Sequence, residues 1–168
     1  MNSKVSEALV NQVNKEFYSA YLYLAMNQYF EDETMAGMAN WMYQQFLEEQ
    51  FHAMKMVKYL NSRGVKVELQ AIEQPTVNWP SMLSVFEDVL EHEKSITASI
   101  NSIQSLSVKE EDFATMNFLQ WFIDEQIEEE ENAANILKQL QLIGDNGYGL
   151  LMLDKELSVR KFVEPVAK

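Results

Sequence analysis

The chain has 168 residues, of which 47% are hydrophobic, and a net charge of −13 at pH 7. That much apolar material in one domain's length excludes a disordered chain. The charge argues against nucleic acid and for cations as partners, and the lack of Cys removes disulfides, thiolate zinc sites and cysteine catalysis. No apolar run approaches the ~18 residues of a membrane span. The N-terminal stretch MNSKVSEALVNQVNKEF is amphipathic and mixed in charge, unlike a signal peptide, so a cytoplasmic location is expected.

Five Gly and three Pro leave little punctuation, which favours long helices. The first helical pattern runs from Ser3 to Glu31, with Leu9, Val13, Phe17, Ala20 and Leu24 on one face. A turn at Asp32 and Glu33 leads to the second, Thr34 to Ser62, with Met38, Met42, Phe46, Met56 and Leu60. So short a turn makes the two antiparallel neighbours. The connection GVKVELQAIEQPTVNW follows. About 16 extended residues reach roughly 50 Å, and a helix of about 28 residues is about 42 Å long. The connection can therefore run back along the bundle and make the second and third helices parallel; a mobile loop is the alternative. The third pattern runs from Pro80 to Leu106, with Pro80 in the first turn, where its missing N–H is not needed. After a turn at residues 107–109 the fourth runs from Glu110 to Ile143, with Leu119, Phe122, Ala133, Leu137 and Leu140, and Gly144 stops it. The piece LLMLDKEL then forms a short fifth helix, about 149–160, too short to be stable alone. It either caps its own bundle or packs against copies of itself. The expected architecture is all-α: a single domain over 1–168, with a four-helix bundle at about 3–144 and a polar tail at 161–168.

Each long segment carries a polar intrusion at the centre of its apolar stripe. These are Glu16 in the first, Glu49 and His52 in the second, Glu93 in the third, and Gln126 and Glu129 in the fourth. Glu16 to Glu49 and Glu93 to Gln126 are both 33 residues, and Glu16 to His52 and Glu93 to Glu129 are both 36. The two helical hairpins thus read as copies, with a polar layer at one height in each. Lys and Arg are absent from these stripe positions. Each unpaired buried charge costs several kcal/mol, so four carboxylates at one level call for bound cations. Four carboxylates and one imidazole are too many ligands for one ion and suit two, bridged by Glu49 and Glu129. Oxygen-rich ligation with one His and no sulfur favours iron or manganese over structural zinc. The alternative is a hydrogen-bonded, partly protonated core network. Glu48, Glu125 and Glu128 each adjoin a proposed ligand and face the edge of the same level. The run IEEEEN around them otherwise reads as a solvated helix face. Tyr23, two turns after Glu16, either serves the site or packs as an ordinary core tyrosine.

With these residues in place the chain resembles the bacterial non-haem ferritins over nearly its whole length. The likeness runs through EFYSAYLY, LEEQFHAM, LEHEKSI, NFLQWFIDEQIEEE and GLLMLDKELS. It implies a ferritin-like bundle and an iron-storage protein with ferroxidase activity. Glu16, Glu49 and His52 would hold a first iron. Glu49, Glu93 and Glu129 would hold a second, with Gln126 nearby. Glu48, Glu125, Glu128 and Glu129 would form a third iron site, and Tyr23 would be the tyrosine beside the di-iron centre. Gln126-x-x-Glu129 departs from the second Glu-x-x-His of bacterioferritins and matches non-haem ferritins. Gln50 stands where bacterioferritins carry a haem-binding Met, so haem is not expected. The resemblance also implies a homo-oligomeric shell of 24 subunits with the fifth helix at the four-fold axis, and Fe(II) with O2 or H2O2 as reactants. A rubrerythrin-like oxidase or peroxidase that stores nothing is the alternative enzyme, weakened by the missing Cys. A metal-free binding bundle is the other, and it leaves the matched heights unexplained. Acids at 110–112 either line a pore or favour a helix N-terminus.

Overall fold

The computed structural model describes residues 1–165; of the expected tail, residues 166–168 lie outside the described residues. Five helices follow one another: α1 (Ser3–Asp32), α2 (Ala36–Ser62), α3 (Met82–Lys109), α4 (Phe113–Ile143) and α5 (Gly147–Leu157). The first four form the bundle, and no helix is long and apolar enough to cross a membrane among the described residues.

The core is two apolar clusters stacked along the bundle. One contains Phe30, Met38, Phe86 and Leu140. The other contains Val5, Leu60, Ile103 and Leu119. These memberships give the direction of every helix. α1 and α4 begin in the second cluster and end in the first, whereas α2 and α3 run the other way. Helices α2 and α3 are therefore parallel, as the length of their connection requires. That connection packs Val65 and Val67 beside the second cluster and buries Trp79 in the first. Trp79 Nε1 donates to Asp88 Oδ2 at 2.7 Å, and Gln70 Nε2 donates to Asn11 Oδ1 at 2.8 Å. It is a crossover fixed at both ends and at its middle.

The tight turns repeat like the polar layer does. Among the described residues, Thr34 (φ 57°) and Glu111 (φ 55°) are the non-glycine residues with left-handed backbone, and each lies 18 positions after the first polar-layer Glu of its hairpin, Glu16 or Glu93. Such a conformation costs about 1–3 kcal/mol, so its presence in both hairpins marks the same closure geometry.

Helix starts differ from the periodicity-based expectation because caps decide them. Ser81 caps α3 and exchanges side-chain bonds with Ser84, leaving Pro80 outside the helix, before the cap. Asp112 caps α4, accepting from the Thr115 amide at 3.1 Å, so this helix starts at Phe113 rather than Glu110. Glu110 accepts from Asn2 and Lys4, and Asp112 pairs with Arg63 at 3.4 Å, so both acids serve local structure. α5 ends at Leu157, earlier than expected, because residues 158–162 turn away to lie along α2.

α2 has no side-chain cap of its own. Asp154 of α5 fills that role: its Oδ1 accepts from the Met38 amide at 2.8 Å, placing a carboxylate at the helix start. Gly37 permits the approach, since a Cβ there would overlap the Asp154 carbonyl oxygen. Leu153 and Leu157 seal the joint against the first cluster. The opposite face of α5, with Tyr148, Leu151 and Met152, is exposed. α5 thus caps its own bundle with one face and leaves the other exposed.

Replacing Gly37 by Ala should push α5 off α2 and destabilise the fold by about 1–3 kcal/mol, as overpacking does. Asp154→Ala should cost about 1 kcal/mol, as loss of a cap does. Chemical unfolding midpoints measure both, and equal midpoints for Gly37→Ala and wild type would contradict the docking geometry.

Candidate metal centre

The polar layer lies between the two apolar clusters. Glu16 from α1, Glu49 and His52 from α2, and Glu93 from α3 are each 1% exposed, with Gln126 and Glu129 from α4 at 3% and 4%. Antiparallel hairpins bring residues 33 apart to one level, and helical spacing of three puts Glu49 and His52 on one face.

Among the described residues, two sets of acids and histidine bring their ligand atoms within 4.8 Å of one another. The inner set is Glu16, Glu49 and His52; the outer set is Glu48, His52 and Glu125. Three buried atoms of the inner set have no hydrogen-bond partner: Glu16 Oε2, Glu49 Oε2 and His52 Nε2. His52 Nδ1 stands 3.5 Å from Glu49 Oε2. Buried polar atoms in native proteins are nearly always satisfied, so unpartnered Glu16 Oε2 and Glu49 Oε2 in one tight set with the His52 ring, whose Nδ1 is the nitrogen placed near Glu49, describe a donor set for a cation. Two carboxylates and an imidazole suit iron, manganese or zinc.

Glu93 and Glu129 share the level but are held differently. Tyr23 Oη donates to Glu93 Oε1, and Gln126 Nε2 donates to Glu93 Oε2 at 3.1 Å. Gln45 Nε2 donates to Glu129 Oε2 at 2.8 Å. These two acids do not close into a set with Glu49 as tight as the inner one. Gln126 therefore positions Glu93 through its amide nitrogen. Of the expected third set, Glu48 and Glu125 come together with His52. Glu128 is exposed, and Glu129 belongs to the Gln45 contact.

Charge crowding leaves its mark on these groups. Burial, then repulsion from Glu93 and Glu16, pushes Glu49 well above the ordinary carboxylate range. Burial raises Glu93 against the opposing bonds from Tyr23 and Gln126. Glu129 is raised to about 7 by burial and by Glu93. Glu48 is raised to about 7 by burial and Glu129, with Arg160 opposing. Burial also raises Glu125. Tyr23, fully buried and facing Glu93, is held well above its usual value, so its proton stays on. The metal-free cluster carries protons at neutral pH where a bound cation would replace them.

Several supporting residues escape a reading by periodicity. Gln12 donates to Glu16 Oε1 at 2.8 Å, and Gln45 to Glu129. Each lies four residues before a layer Glu, and the two are 33 apart, so the repeat itself was the signal. Arg160 bonds Glu48 Oε2 at 2.7 Å and has no sequence signal, because it lies past the last helix. His92 bonds Ser19 Oγ at 2.7 Å, with its basicity lowered to about 4 by burial. A surface cavity of 760 Å³ between α1 and the crossover, lined by Tyr21, Tyr29, Ile72 and Trp79, contains none of the layer residues.

A family model for the ferritin-like domain matches residues 6–143. The chain is 37% identical over 164 residues to bacterial non-heme ferritin of Staphylococcus aureus (strain USA300), covering 98% of this chain and 99% of that one. It is 39% identical over 164 residues to bacterial non-heme ferritin of Staphylococcus saprophyticus, covering 98% of each. Among solved structures it is similar to an engineered closed form of the Archaeoglobus fulgidus ferritin, with a TM-score of 0.96 and 48% identity over 97% of this chain and 99% of that one. It is likewise similar to the open-pore ferritin of the same archaeon, with a TM-score of 0.95 and 48% identity over 96% and 99%.

The raised carboxylates fix a pH signature. Glu48 and Glu129 sit at about 7 when folded, against 4.5 for an ordinary Glu. Between those values the folded chain binds more protons than the unfolded one, so metal-free stability should fall as pH rises through that window. Binding a divalent cation should release protons over the same range. An anaerobic Zn(II) titration in weak buffer with a pH indicator should show about one proton or more released per ion at pH 6, and fewer at pH 8.5. Equal release at both values would mean that the acids are already ionised at pH 6.

Proposed function

The chain belongs to the ferritin family, an iron-storage family, and we propose that its buried inner set is where Fe(II) is bound for oxidation. The observation that carries this reading is the pair of unpartnered buried oxygens, Glu16 Oε2 and Glu49 Oε2, in one tight set with the buried His52 ring. Fe(II) is the substrate here and Fe(III) mineral the stored cargo.

In this reading Glu16, Glu49 and His52 receive one Fe(II), and Glu49 is shared with a second that Glu93 and Glu129 approach. Their binding displaces carboxyl protons to solvent. Ionised carboxylates interact more strongly with Fe(III) than with Fe(II), so the same donors favour the oxidised state. Two Fe(II) give one electron each to O2 or H2O2. Gln12, Gln45 and Gln126 hold Glu16, Glu129 and Glu93 in place without neutralising them. Tyr23 orients Glu93 and keeps its own proton. Glu48 and Glu125, with His52, offer a third stop toward the bundle edge.

Storage needs an enclosed volume, which one bundle lacks. We assign it to a shell of copies, of 24 subunits, each a single ferritin-like domain. The exposed face of α5, with Leu151 and Met152, supplies one contact between them. A cytoplasmic location belongs to the same proposal.

Aerobic addition of Fe(II) should give soluble iron far above two per chain, in a particle of several hundred kDa by gel filtration. Glu49→Ala should slow initial Fe(II) oxidation by at least the 10–100-fold typical of losing a metal-site group. Tyr23→Phe should slow oxidation less and leave the number of irons bound unchanged. A small oligomer that stops at two irons would overturn storage, and wild-type oxidation by Glu49→Ala would overturn the site.

A further inference from the structure

Residues 158–162 form a strap along α2. Asn40 Nδ2 donates to the carbonyls of Leu157, Ser158 and Arg160 at 3.4, 3.3 and 3.1 Å. The Phe162 amide donates to Gln44 Oε1 at 2.8 Å, and the Phe162 ring lies 5.9 Å from that of Phe51. Asn40, Gln44, Glu48 and Phe51 follow one another at helical spacing, so the strap tracks a single stripe of α2. At its centre the Arg160 guanidinium stacks 4.6 Å over Trp41 and donates from Nη2 to Glu48 Oε2 at 2.7 Å. The Arg160 and Glu48 side chains are 21% and 15% exposed, so the pair is largely withdrawn from water.

Glu48 is also an acid of the outer set, with Glu125 and His52. A short charge-assisted bond from a guanidinium takes up lone-pair capacity of Glu48 Oε2 that this oxygen can no longer give to a metal ion. A cation bound by the same carboxylate would also sit within a few Å of the positive guanidinium, and the two would repel. Lys55, the other cation nearby, lies 4.0 Å over the Trp121 ring rather than on an acid of this set. Among the described residues Arg160 is therefore the cation seated on the outer set.

We propose that Arg160 is a tethered counter-ion that an incoming metal cation displaces from Glu48, so that filling the Glu48–His52–Glu125 set and docking the 158–162 strap on α2 oppose each other. The inference rests on reading the inner and outer sets as iron sites. Its consequences are two. The strap holds the outer acids in place while the set is empty and weakens cation binding there, without touching Glu16 or Glu49 of the inner set. By linkage, whatever loosens the strap tightens the outer set, and a cation at the outer set loosens the strap.

The test uses the assembled full chain and Zn(II), which is redox-inert, so that no oxidation is involved. Calorimetric titration gives the affinities, and anomalous scattering from zinc-soaked crystals assigns them to inner or outer set. Arg160→Gln should tighten the outer set about tenfold, within the usual range of coupling between sites. Arg160→Lys, which keeps the charge, should stay near wild type. Asn40→Ala, which frees the strap but keeps Arg160, should tighten the outer set by a smaller factor. Inner-set affinity, read from the first zinc bound while the outer set is still empty, should change less than about twofold in all three, since none of these residues touches the inner acids. In wild-type crystals with zinc in the outer set, Arg160 should have left Glu48. Unchanged or weaker outer-set binding in Arg160→Gln, no zinc in the outer set of any variant, or zinc there with Arg160 still bonded to Glu48 would each overturn the proposal. Failure of zinc to enter the inner set counts against the iron-site reading instead, because the exchange is read at the outer set alone.

Discussion

Carboxylates without basic partners in the middle of a helical bundle constrain everything around them. Removing each from water costs several kcal/mol unless a counter-charge or hydrogen bonds compensate. Here four such groups and an imidazole occupy one level, and the apolar core splits into two clusters on either side of it. The layer also pins helix register. A shift of one residue rotates a helix face by about 100° and would carry Glu16 or Glu93 away from the axis toward a neighbour or solvent. The apolar residues above and below are tolerant of such shifts in kind, since Leu, Met and Ile exchange readily in cores. The polar layer is not, and it makes one alignment of the four helices better than its rivals.

The chemistry of the supporting groups follows from the same constraint. Gln12, Gln45, Gln126 and Tyr23 all hold a layer carboxylate, and all are neutral donors. Neutral donors fix the orientation of a carboxylate while leaving its charge to be balanced by something else. A lysine or arginine in the same place would balance it permanently and exclude a metal. The basic residue that does meet an acid of the site, Arg160, stands at the margin, on a segment outside the bundle. Negative charge left unbalanced at the centre suits the cation site proposed above.

Spacing along the chain revealed the bundle, its antiparallel hairpins, the parallel α2 and α3, and the polar layer. Periodicity shows which face of a helix is buried, and Glu16, Glu49, His52, Glu93, Gln126 and Glu129 stood out because they broke it. It does not show where helices begin, because Ser81 and Asp112 end the preceding turns by hydrogen bonds that periodicity does not contain. Nor does it separate Glu93 and Glu129 from Glu49: all three occupy the stripe, and only side-chain rotamers decide which oxygens face Tyr23, Gln126 or Gln45. Glu128 shows the opposite limit. One position from Glu129, it lies about 100° around the helix and faces solvent. Arg160 and Asp154 reach α2 from beyond the bundle, by tertiary contacts with no local pattern to announce them.

His52 joins the two acid sets, and this has a consequence for their order of use. Its imidazole belongs to both, with Nδ1 close to Glu49 and Nε2 unpartnered. A neutral imidazole has one unprotonated nitrogen, so ligation of a cation in one set leaves the other nitrogen protonated and removes a donor from the other set. The inner set keeps two buried carboxylates in that contest. The outer keeps Glu125, which is partly exposed, and Glu48, which Arg160 already holds. The inner set therefore has the stronger claim on the first cation. Occupation of the outer set becomes favourable once the inner cation's departure frees the ring. Read as the cation sites proposed above, two acid clusters hinged on one histidine would act as coupled positions rather than as independent sites.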